Sequence, residues 1–325
     1  MIIHFHFHFK TTGVTRSVEG LLTPLNSMEE TKVFGYGITR NKISFFKLIK
    51  AIYSSSKTII HTHRNNETLI ALILRFLGGK FKLVSTRHAE STPSKLTLFL
   101  MSKTDQCISL SQNMSNNLSL ENTIIGHGID TNQFLYDQQK RSLKPRVISV
   151  VGRIRKAKGQ LDVIGAIAPL LNKNPNWNLH FIGTVDDPAY VTEINTISLT
   201  QGVQDQIHFV SQTNEIQEHY KSSSAVVIAS HTEGFSLVCL EAMSSGCITI
   251  ATEQVGIHSE VITHGINSFL YPKGDTQTLR KLLKEVIEEP EKLKPELVRK
   301  TILEQWSVSS SAKKLFDVYN KVRTI

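Results

Sequence analysis

The sequence predicts an α/β protein made of two doubly wound halves, each with a parallel sheet. Short apolar runs typical of buried strands alternate with segments of helical periodicity along the whole chain. A polar stretch interrupts this alternation near the middle, and 325 residues are enough for two hydrophobic cores. Repeated strand, loop and helix segments are typical of parallel sheets that are covered by helices.

The first half contains a series of predicted strands and helices. In chain order the predicted strands are 2–9, 58–63, 82–86, 106–111 and 122–125. The predicted helices are 16–25 and 67–77. A polar run without periodicity, 130–145, then predicts a linker between two domains.

The second half begins again with an apolar strand and repeats the pattern. Its predicted strands are 147–151, 180–182, 207–210, 225–229 and 248–251, and the clearest helix is 160–171. The charge-rich stretch 284–300 predicts a solvated helical face. We therefore predict an N-terminal domain at 1–140, a C-terminal domain at 144–305 and a final helical segment at 306–325.

The positive charge of the chain is concentrated in its first half. The whole chain carries 37 Lys and Arg against 28 Asp and Glu. Residues 1–143 hold 17 of the cations and 9 of the anions (+8), which leaves 20 and 19 (+1) for the rest. This imbalance predicts an anionic partner, such as acidic lipid head groups or a phosphorylated acceptor, although it could equally serve solubility alone.

Several features exclude other classes of protein. The first ten residues lack a basic leader and a continuous apolar stretch, so no signal peptide is expected. No apolar segment reaches the ~20 residues that a membrane span needs. Cys107, Cys239 and Cys247 lack metal-ligand spacing and are expected to be buried free thiols of a reducing compartment.

Ligands of open α/β sheets bind at the carboxyl ends of the strands, where loops lead into helices. In the second half, GRIRKAKG at 152–159 places Arg153 and Lys158 in such a loop. The planar fork of an arginine and the point charge of a lysine together suit a diphosphate. Surface cations beside a loop are common, so these two residues do not define a site on their own.

The segment SHTEGFSLVCLEAMSSG, 230–246, follows the strand 225–229. Gly234 loosens the loop, and Ser236 is the expected start of a helix. The backbone amides of Phe235, Ser236 and Leu237 would then lie near the end of the strand. A helix N-terminus of this kind is a ready anion site.

Two glutamates flank this helix start. Glu241 falls inside the helix, where its carboxylate could accept both hydroxyls of a ribose, and Glu233 precedes the helix. A carboxylate beside phosphates is unfavourable unless hydroxyl groups donate to it, which favours a sugar nucleotide over free phosphate. By spacing alone, a solvated loop glutamate and a helix-face glutamate would be the better explanation.

In the first half, TTGVTRS at 11–17 connects the first strand to the first helix. Gly13 would allow a ligand to approach the backbone. The segment is not GxGxxG, so a nicotinamide or flavin site is not expected. His4, His6 and His8 share one face of the first strand, but metal binding would need further converging ligands.

Together these segments resemble the retaining GT-B-fold glycosyltransferases of family four. The resemblance rests on the SxxEGFxLxxLEAMxxG frame around Glu233 and Glu241, and on GRxxxxKG before it. It also includes the GxxRS loop at 13–17, IIGHGIDTNQF at 124–134 and WSVSSSAKKLFDVY at 306–319. Within the family, TGVTRS and STRHAEST (85–92) look most like lipopolysaccharide-core mannosyltransferases. One departure is Thr12, where many members have a second glycine.

The resemblance implies a GT-B fold of two Rossmann-like domains facing across a cleft. The first domain would bind the acceptor, the second would bind a nucleoside-diphosphate sugar, and the last helix would cross back to the first domain. It implies hexosyl transfer with retention of configuration, for example of mannose from GDP-mannose. No cofactor and no metal are expected, because cations and helix N-termini take the diphosphate charge.

The resemblance also assigns roles to individual residues. His88, Arg153, Lys158 and Glu233 are the expected catalytic residues. The expected donor-binding residues are Gly13, Arg153, Lys158, Gly183, Val210, Ser211, Glu233, Gly234, Phe235, Ser236, Leu237 and Glu241. Contacts to the acceptor are expected from Arg16, His63 and Arg87. His88 could equally be a hydrogen-bonded loop histidine.

The implied partners are a sugar-nucleotide donor and a glycan or lipid-linked acceptor. The implied location is the cytoplasm, with an anionic inner-membrane surface as a further contact for the basic first domain. Two alternatives stay open at this point: a sugar-nucleotide hydrolase or epimerase on the same fold, and a non-catalytic nucleotide-sugar-binding subunit. A nucleic-acid-binding role is not expected, because no recognised motif accompanies the charge.

Overall fold

The computed structural model describes residues 1–10, 12–89, 91–139, 146–290 and 292–324. It divides into two compact units, unit 1 (Met1–Asp130 and Gln305–Ile325) and unit 2 (Thr131–Glu304). Part of the predicted linker, 140–145, lies outside the described residues, as do Thr11 and Glu90 of the quoted segments. The roles assigned to the two predicted domains stay predictions.

Unit 1 is built on a parallel sheet, which has six strands in the described residues. The strands are β1 (Ile2–Phe7), β2 (Thr31–Tyr36), β3 (Ile59–Thr62), β4 (Lys82–Arg87), β5 (Gln106–Ser109) and β6 (Asn122–Ile124). Their order is β2-β1-β3-β4-β5-β6, and every pairing is parallel. Parallel neighbours need crossover connections, which the intervening helices provide.

Five helices alternate with these strands in the described part of unit 1. They are α1 (Gly13–Met28), α2 (Phe45–Ser54), α3 (Asn65–Phe76), α4 (Lys95–Ser102) and α5 (Gln112–Asn116). The start predicted at residue 16 for the first helix was wrong by three residues, because Thr12 is the N-cap. Its hydroxyl accepts from the Thr15 amide, and the Thr15 side chain bonds back to the Thr12 amide. The segment from Gly13 onward is therefore helix and not loop.

Both faces of β1 are buried, which explains its composition. Ile3 and Phe5 pack with Leu48 of α2 in one core cluster, and Ile2 packs with Leu25 of α1 in another. Successive strand residues point to opposite faces of a sheet, so a strand that is covered on both sides buries side chains on both. The histidines at positions 4 and 6 share the face of Ile2.

Unit 2 repeats the architecture. Its strands are β7 (Val147–Val151), β8 (Asn178–Ile182), β9 (Ile207–Val210), β10 (Ala225–Ile228), β11 (Ile248–Thr252) and β12 (Phe269–Tyr271). Its helices are α6 (Gln160–Leu171), α7 (Pro188–Thr200), α8 (Ile216–Lys221), α9 (Leu237–Ser244), α10 (His258–Val261), α11 (Thr276–Glu288) and α12 (Pro295–Gln305). Among the described residues, these strands form one parallel sheet of order β12-β11-β10-β7-β8-β9.

The predicted strand 147–151 and the predicted helix 160–171 are confirmed residue for residue. Strands β2 and β12 were not predicted. The charged stretch 284–300 is not one helix, because α11 ends at Glu288 and α12 begins at Pro295.

The last helix, α13 (Val308–Thr324), belongs to unit 1. Tyr319 is fully buried in the same core cluster as Ile2 and Leu25. Near the end of α13, the two terminal nitrogens of Arg323 donate to the two carboxylate oxygens of Glu29 at 2.7 and 2.8 Å. This two-pronged ion pair is the strong geometry for arginine and carboxylate, and it holds the helix to the end of α1.

In the part of the chain that the structure describes, no helix is both long and apolar enough to cross a membrane. All three cysteines are buried free thiols. Burial raises the pKa of Cys107 and of Cys239 above the ordinary thiol value, which keeps both sulfurs protonated and unreactive.

Candidate functional site

Three loops of unit 2 lie side by side at the carboxyl edge of its sheet. They follow β7, β8 and β10, which are neighbours in the order β10-β7-β8. The loop after β7 carries Arg153 and Lys158, the loop after β8 begins at Gly183, and the loop after β10 carries Glu233. The topology therefore brings together segments that are far apart in sequence, at the edge where ligands of such sheets bind.

Two glycines make the close packing of these loops possible. Gly159 has φ +66°, and a Cβ there would lie 2.1 Å from the carbonyl oxygen of Ala229. Gly183 has φ +150°, and a Cβ there would lie 2.2 Å from the carbonyl oxygen of Gly152. Any other residue would be strained in its backbone and would clash with a neighbouring strand end.

Lys158 and Glu233 form an ion pair between two of these loops. The Lys158 ammonium donates to Oε1 of Glu233 at 2.6 Å. The hydroxyl of Ser230 donates to the same oxygen, also at 2.6 Å. The two charged side chains are only 17% and 13% exposed, so this pair is screened less than a surface pair.

The residue before α9 has an unusual backbone. Ser236 is the N-cap of the helix and has φ +83°, which is rare for a residue other than glycine. Its hydroxyl is 2.9 Å from Nε2 of His258, whose Nδ1 is 2.7 Å from the carbonyl oxygen of Thr252. Because Nδ1 donates to that carbonyl, Nε2 accepts from Ser236. Burial lowers the pKa of His258, which keeps it neutral and suited to this role.

The predicted start of a helix at Ser236 is confirmed. The neighbouring Phe235 is buried, whereas Gly234 is exposed. A Cβ on Gly234 would meet nothing within 4 Å, so the protein itself does not require glycine there. The first amides of a helix have no partner within the helix, and here the buried Phe235 and Ser236 come directly before them.

Glu241 lies in the second turn of α9 and is half-buried. The hydroxyl of Tyr220 donates to its Oε2 at 2.7 Å. Tyr220 is fully buried, and burial beside the Glu241 carboxylate raises its pKa well above the ordinary tyrosine value. A hydroxyl that stays protonated is a fixed donor, so it holds the carboxylate in one orientation.

The remaining predicted donor residues differ in exposure and in their contacts. Arg153 is 61% exposed, and its Nη1 lies 3.3 Å from Asp186, so Arg153 and Lys158 pair with different carboxylates. The Gly183 amide donates to the carbonyl of Val210 at 2.9 Å, and Ser211 is exposed. Gly13, in unit 1, is the first residue of α1.

In unit 1, the predicted residues His63 and His88 belong to a chain of imidazoles, in which His4 and His63 are buried and His88 is half-buried. Nδ1 of His63 lies 3.1 Å from Nε2 of His88, and Nε2 of His63 lies 3.1 Å from Nδ1 of His4. Burial lowers the pKa of His63 and of His88 well below the ordinary histidine range, and that of His4 to about 3. All three rings are therefore neutral at physiological pH.

Strand register also brings His61 to this group. His4 of β1 pairs directly with His61 of β3, and His61, His63 and His4 offer ring nitrogens within 4.8 Å of one another. Neutral imidazoles can ligate a transition metal. However, both nitrogens of His61 lie within hydrogen-bond distance of hydroxyls, that of Tyr319 at 2.6 Å and that of Thr86 at 2.7 Å. The hydrogen-bond network thus accounts for His61 without an ion.

The other predicted acceptor residues differ in burial. Arg87, the last residue of β4, is 8% exposed, whereas Arg16 of α1 is exposed. Sequence reasoning missed Ser230, Tyr220 and His258, which hold Glu233, Glu241 and Ser236. The signal for Tyr220 and His258 was weak, because both act through tertiary contacts and lie outside the quoted motifs, whereas Ser230 begins the SxxEGF frame itself.

The comparisons with known proteins agree with this architecture. A family model described as glycosyl transferases group 1 matches residues 132–300, just over half of the chain. Lipopolysaccharide core biosynthesis mannosyltransferase LpsB of Rhizobium meliloti is 28% identical over 281 residues, which cover 81% of this chain and 80% of that protein. The corresponding LpcC of Rhizobium leguminosarum is 26% identical over 244 residues, which cover 72% and 69%.

Among solved structures, Anabaena HepE in complex with UDP-glucose superposes with a TM-score of 0.76 at 16% identity. The match covers 98% of this chain and 99% of that one. The fold is therefore that of GT-B glycosyltransferases, as the sequence predicted. The chain belongs to the glycosyl transferases group 1 family, and it is a glycosyltransferase.

Proposed function

We propose that this enzyme transfers a hexose from a nucleoside-diphosphate sugar to a glycan or lipid-linked acceptor of the cell envelope. The observation that carries the proposal is the arrangement around α9, where the Lys158–Glu233 pair lies beside a helix start with a left-handed Ser236. A backbone held in a rare conformation is typical of sites where strain serves a function. Family membership favours a transferase over the hydrolase, epimerase and non-catalytic alternatives.

The proposed donor is GDP-mannose, and the proposed pathway is synthesis of a lipopolysaccharide core or related glycan. Support comes from LpsB and LpcC, whose names describe core mannosyltransferases. HepE, which binds UDP-glucose, shares the fold but only 16% of residues, so it supports the use of a sugar nucleotide and leaves the base open.

In the proposed mechanism, the diphosphate leaves against the N-terminus of α9 and the ammonium of Lys158. Arg153, being exposed, reaches the same charge from the other end of its loop. Such preorganised donors stabilise the charge that develops in the transition state. The Glu241 carboxylate, oriented by Tyr220, accepts from the ribose hydroxyls. Glu233 positions the transferred sugar through its own hydroxyls.

We further propose that transfer occurs with retention of configuration and without a metal. The acceptor hydroxyl would attack from the face that the phosphate leaves, and a phosphate oxygen would take its proton. Proton NMR of the anomeric centre in the product tests retention, since inversion would contradict it. Full turnover after exhaustive EDTA treatment is expected, and activity that returned only with added metal would refute the metal-independent route.

The central experiment is a thermal-shift panel of GDP-, UDP- and ADP-sugars, followed by product analysis with and without acceptor. A ligand that binds only the folded protein raises its apparent stability, by about 2.7 kcal/mol at a hundredfold excess over its Kd. GDP-mannose should give the largest shift. Release of free sugar without acceptor, at the rate seen with acceptor, would identify a hydrolase instead.

His88 is proposed to contact the donor sugar or the acceptor. Its Nδ1 is buried without a hydrogen-bond partner, while its Nε2 is paired with His63. An orphaned buried nitrogen at the edge of a cavity suits a substrate hydroxyl. H88A should lower turnover, and a variant that kept full transfer activity would exclude this role.

A cytoplasmic location with contact to the inner-membrane surface is also proposed, from the excess positive charge of the first half of the chain. Sedimentation with anionic vesicles should show binding that weakens as salt rises. Equal sedimentation with neutral and anionic vesicles would contradict the electrostatic contact.

A further inference from the structure

A cavity of about 550 Å³ in unit 1 opens where β3 and β4 end and α3 begins. The residues that line it include Arg64, Asn65, Arg87, His88 and Thr97. The carboxyl ends of neighbouring parallel strands, next to a helix N-terminus, form a favourable environment for an anion. Position alone does not make a site, but two further features of this cavity indicate a ligand.

The first feature is the state of Arg87. Its side chain is only 8% exposed, and Nη2 donates to the carbonyl oxygen of Ser91. Its Nε is buried without a hydrogen-bond partner. Within the described residues, Arg87 has no carboxylate partner. Burying a charge without a counter-ion is unfavourable, so the described part of the chain leaves this guanidinium without the anion that would stabilise it.

The second feature is the uncapped start of α3. Arg64 is the N-cap of this 12-residue helix, and no side chain caps it. Glu67, in the first turn, does not fill this role. Its two oxygens accept from the backbone amides of Phe7 at 3.0 Å and of His63 at 2.7 Å. The amides at the start of the helix therefore remain available on the side of the cavity.

Arg64 adds a second cation at the same edge. Its Nη2 donates to the hydroxyl of Thr12 at 3.1 Å, and its Nη1 lies 3.7 Å from Oε1 of Glu67. That Nη1 is also buried without a hydrogen-bond partner. Arg64 thus shares its charge with one carboxylate, whereas Arg87 has no such partner in the part of the chain that the structure describes. The neighbouring His63 and His88 add donors or acceptors but no charge, because burial lowers the pKa of both.

We propose that this cavity binds a phosphate or carboxylate group carried by the acceptor, with Arg87 as its main counter-ion. Arg64 and the first amides of α3 provide further donors. The enzyme would therefore act on an anionic acceptor and not on a neutral glycan. That the ligand is the acceptor rests on the proposed function, whereas the anion site itself does not.

The test uses three sugars that differ only at C6: glucose 6-phosphate with a phosphate, glucuronate with a carboxylate and glucose with a neutral hydroxyl group. Each is titrated calorimetrically into the full-length protein saturated with GDP, so that the donor site is already filled. We expect glucose 6-phosphate or glucuronate to bind, and R87Q to weaken that binding roughly ten- to hundredfold, the range for a charge-assisted contact. The glucuronate and phosphate arms identify which anion the site prefers.

Arg40 provides the matched control, because it is an exposed arginine of unit 1 outside the cavity lining. R40Q removes the same charge and should leave the affinity for glucose 6-phosphate unchanged. R64Q should weaken binding less than R87Q, since Glu67 shares the charge of Arg64. The unliganded R87Q protein should be at least as stable as wild type, because it no longer buries an unpaired cation.

Equal binding of the charged sugars and of glucose would overturn the proposal, as would equal affinity in wild type and R87Q. If R87Q does not fold, two other measurements test the proposal. They are the preference of the wild-type protein for charged sugars over glucose, and the affinity of R64Q for glucose 6-phosphate. A protein that binds no sugar nucleotide would be a separate result. If anion binding still depended on Arg87, the proposed donor would be refuted and the anion site would stand.

Discussion

Replacing Lys158 by methionine separates a catalytic role of this residue from a structural one. Methionine keeps the unbranched shape and removes the charge. In wild type, the Lys158 ammonium and Oε1 of Glu233 are 2.6 Å apart, and both side chains are less than one-fifth exposed. A hydrogen bond to a charged group contributes about 1.5–3 kcal/mol. K158M should therefore lower the unfolding free energy by about this amount, or several degrees in Tm.

The expected effect on turnover is larger than that effect on stability. If Lys158 stabilises the departing diphosphate, its loss should cost ~2.7–4 kcal/mol in the transition state, as for a single oxyanion-hole donor. This corresponds to a decrease in kcat of roughly a hundred- to a thousandfold. K158A should show the same decrease. The measurement is initial-rate product formation at saturating acceptor, with folding of each variant checked by circular dichroism.

The double variant K158M/E233Q completes the cycle. If Lys158 acts only by pairing with Glu233, its replacement should have no effect once the carboxylate is gone. The turnover of the double variant would then equal that of E233Q. A residue that contacts the diphosphate should still cost about a hundredfold relative to E233Q. Turnover of K158M within about threefold of wild type, or equality of E233Q and the double variant, would refute the assigned role.

Three further variants test the donor site and the core. G234A should keep the wild-type Tm while weakening donor binding. G159A should lose more than about 1–2 kcal/mol of stability, because Gly159 has φ +66° and an added Cβ would lie 2.1 Å from a backbone oxygen. Equal Tm values for the two variants would contradict this contrast. E241Q should raise the donor KM roughly ten- to a hundredfold with little change in kcat, and Y220F should raise it less. An unchanged KM in E241Q would exclude ribose binding by Glu241. The pKa of His4 falls from its ordinary value of 6.5 to about 3. Below pH 6.5 the unfolded chain therefore protonates this residue while the folded protein keeps it neutral. The free energy of unfolding has its full value above pH 6.5, and part of it is lost as the pH falls towards 3. At pH 5 this loss is about 2 kcal/mol; urea unfolding of H4N should therefore show a shallower decline between pH 8 and 5, and parallel curves would contradict it.

Elements with a strong local signal were predicted well. The strand 147–151 and the helix 160–171 have the predicted bounds. The strand is apolar except for Ser149, and the helix follows a glycine and fills the 3.6-residue period. Strand β2 was missed because it is an edge strand whose burial alternates and fades towards its end. Strand β12 was missed because three residues are too few to show a pattern.

The features of the candidate site were also predicted only in part. Sequence spacing sufficed to place Lys158 in one loop, Glu233 in another and Ser236 at a helix start, since each is fixed by its own strand–loop–helix unit. It could not show that Lys158 and Glu233 pair, because the contact depends on β7 and β10 being neighbours in the sheet. Nor could it show the left-handed backbone of Ser236, which is held by the distant His258.

The sequence by itself determined the α/β class, the family and the residues that carry charge near the helix starts, since these depend on local periodicity and on motif spacing. The tertiary structure decided which charges are paired and which are not. The histidine chain exists because parallel register places His4 beside His61. Arg87, the last residue of β4, is buried and has no carboxylate partner among the described residues. Partners and burial depend on strand order and packing, which no local pattern in the chain encodes.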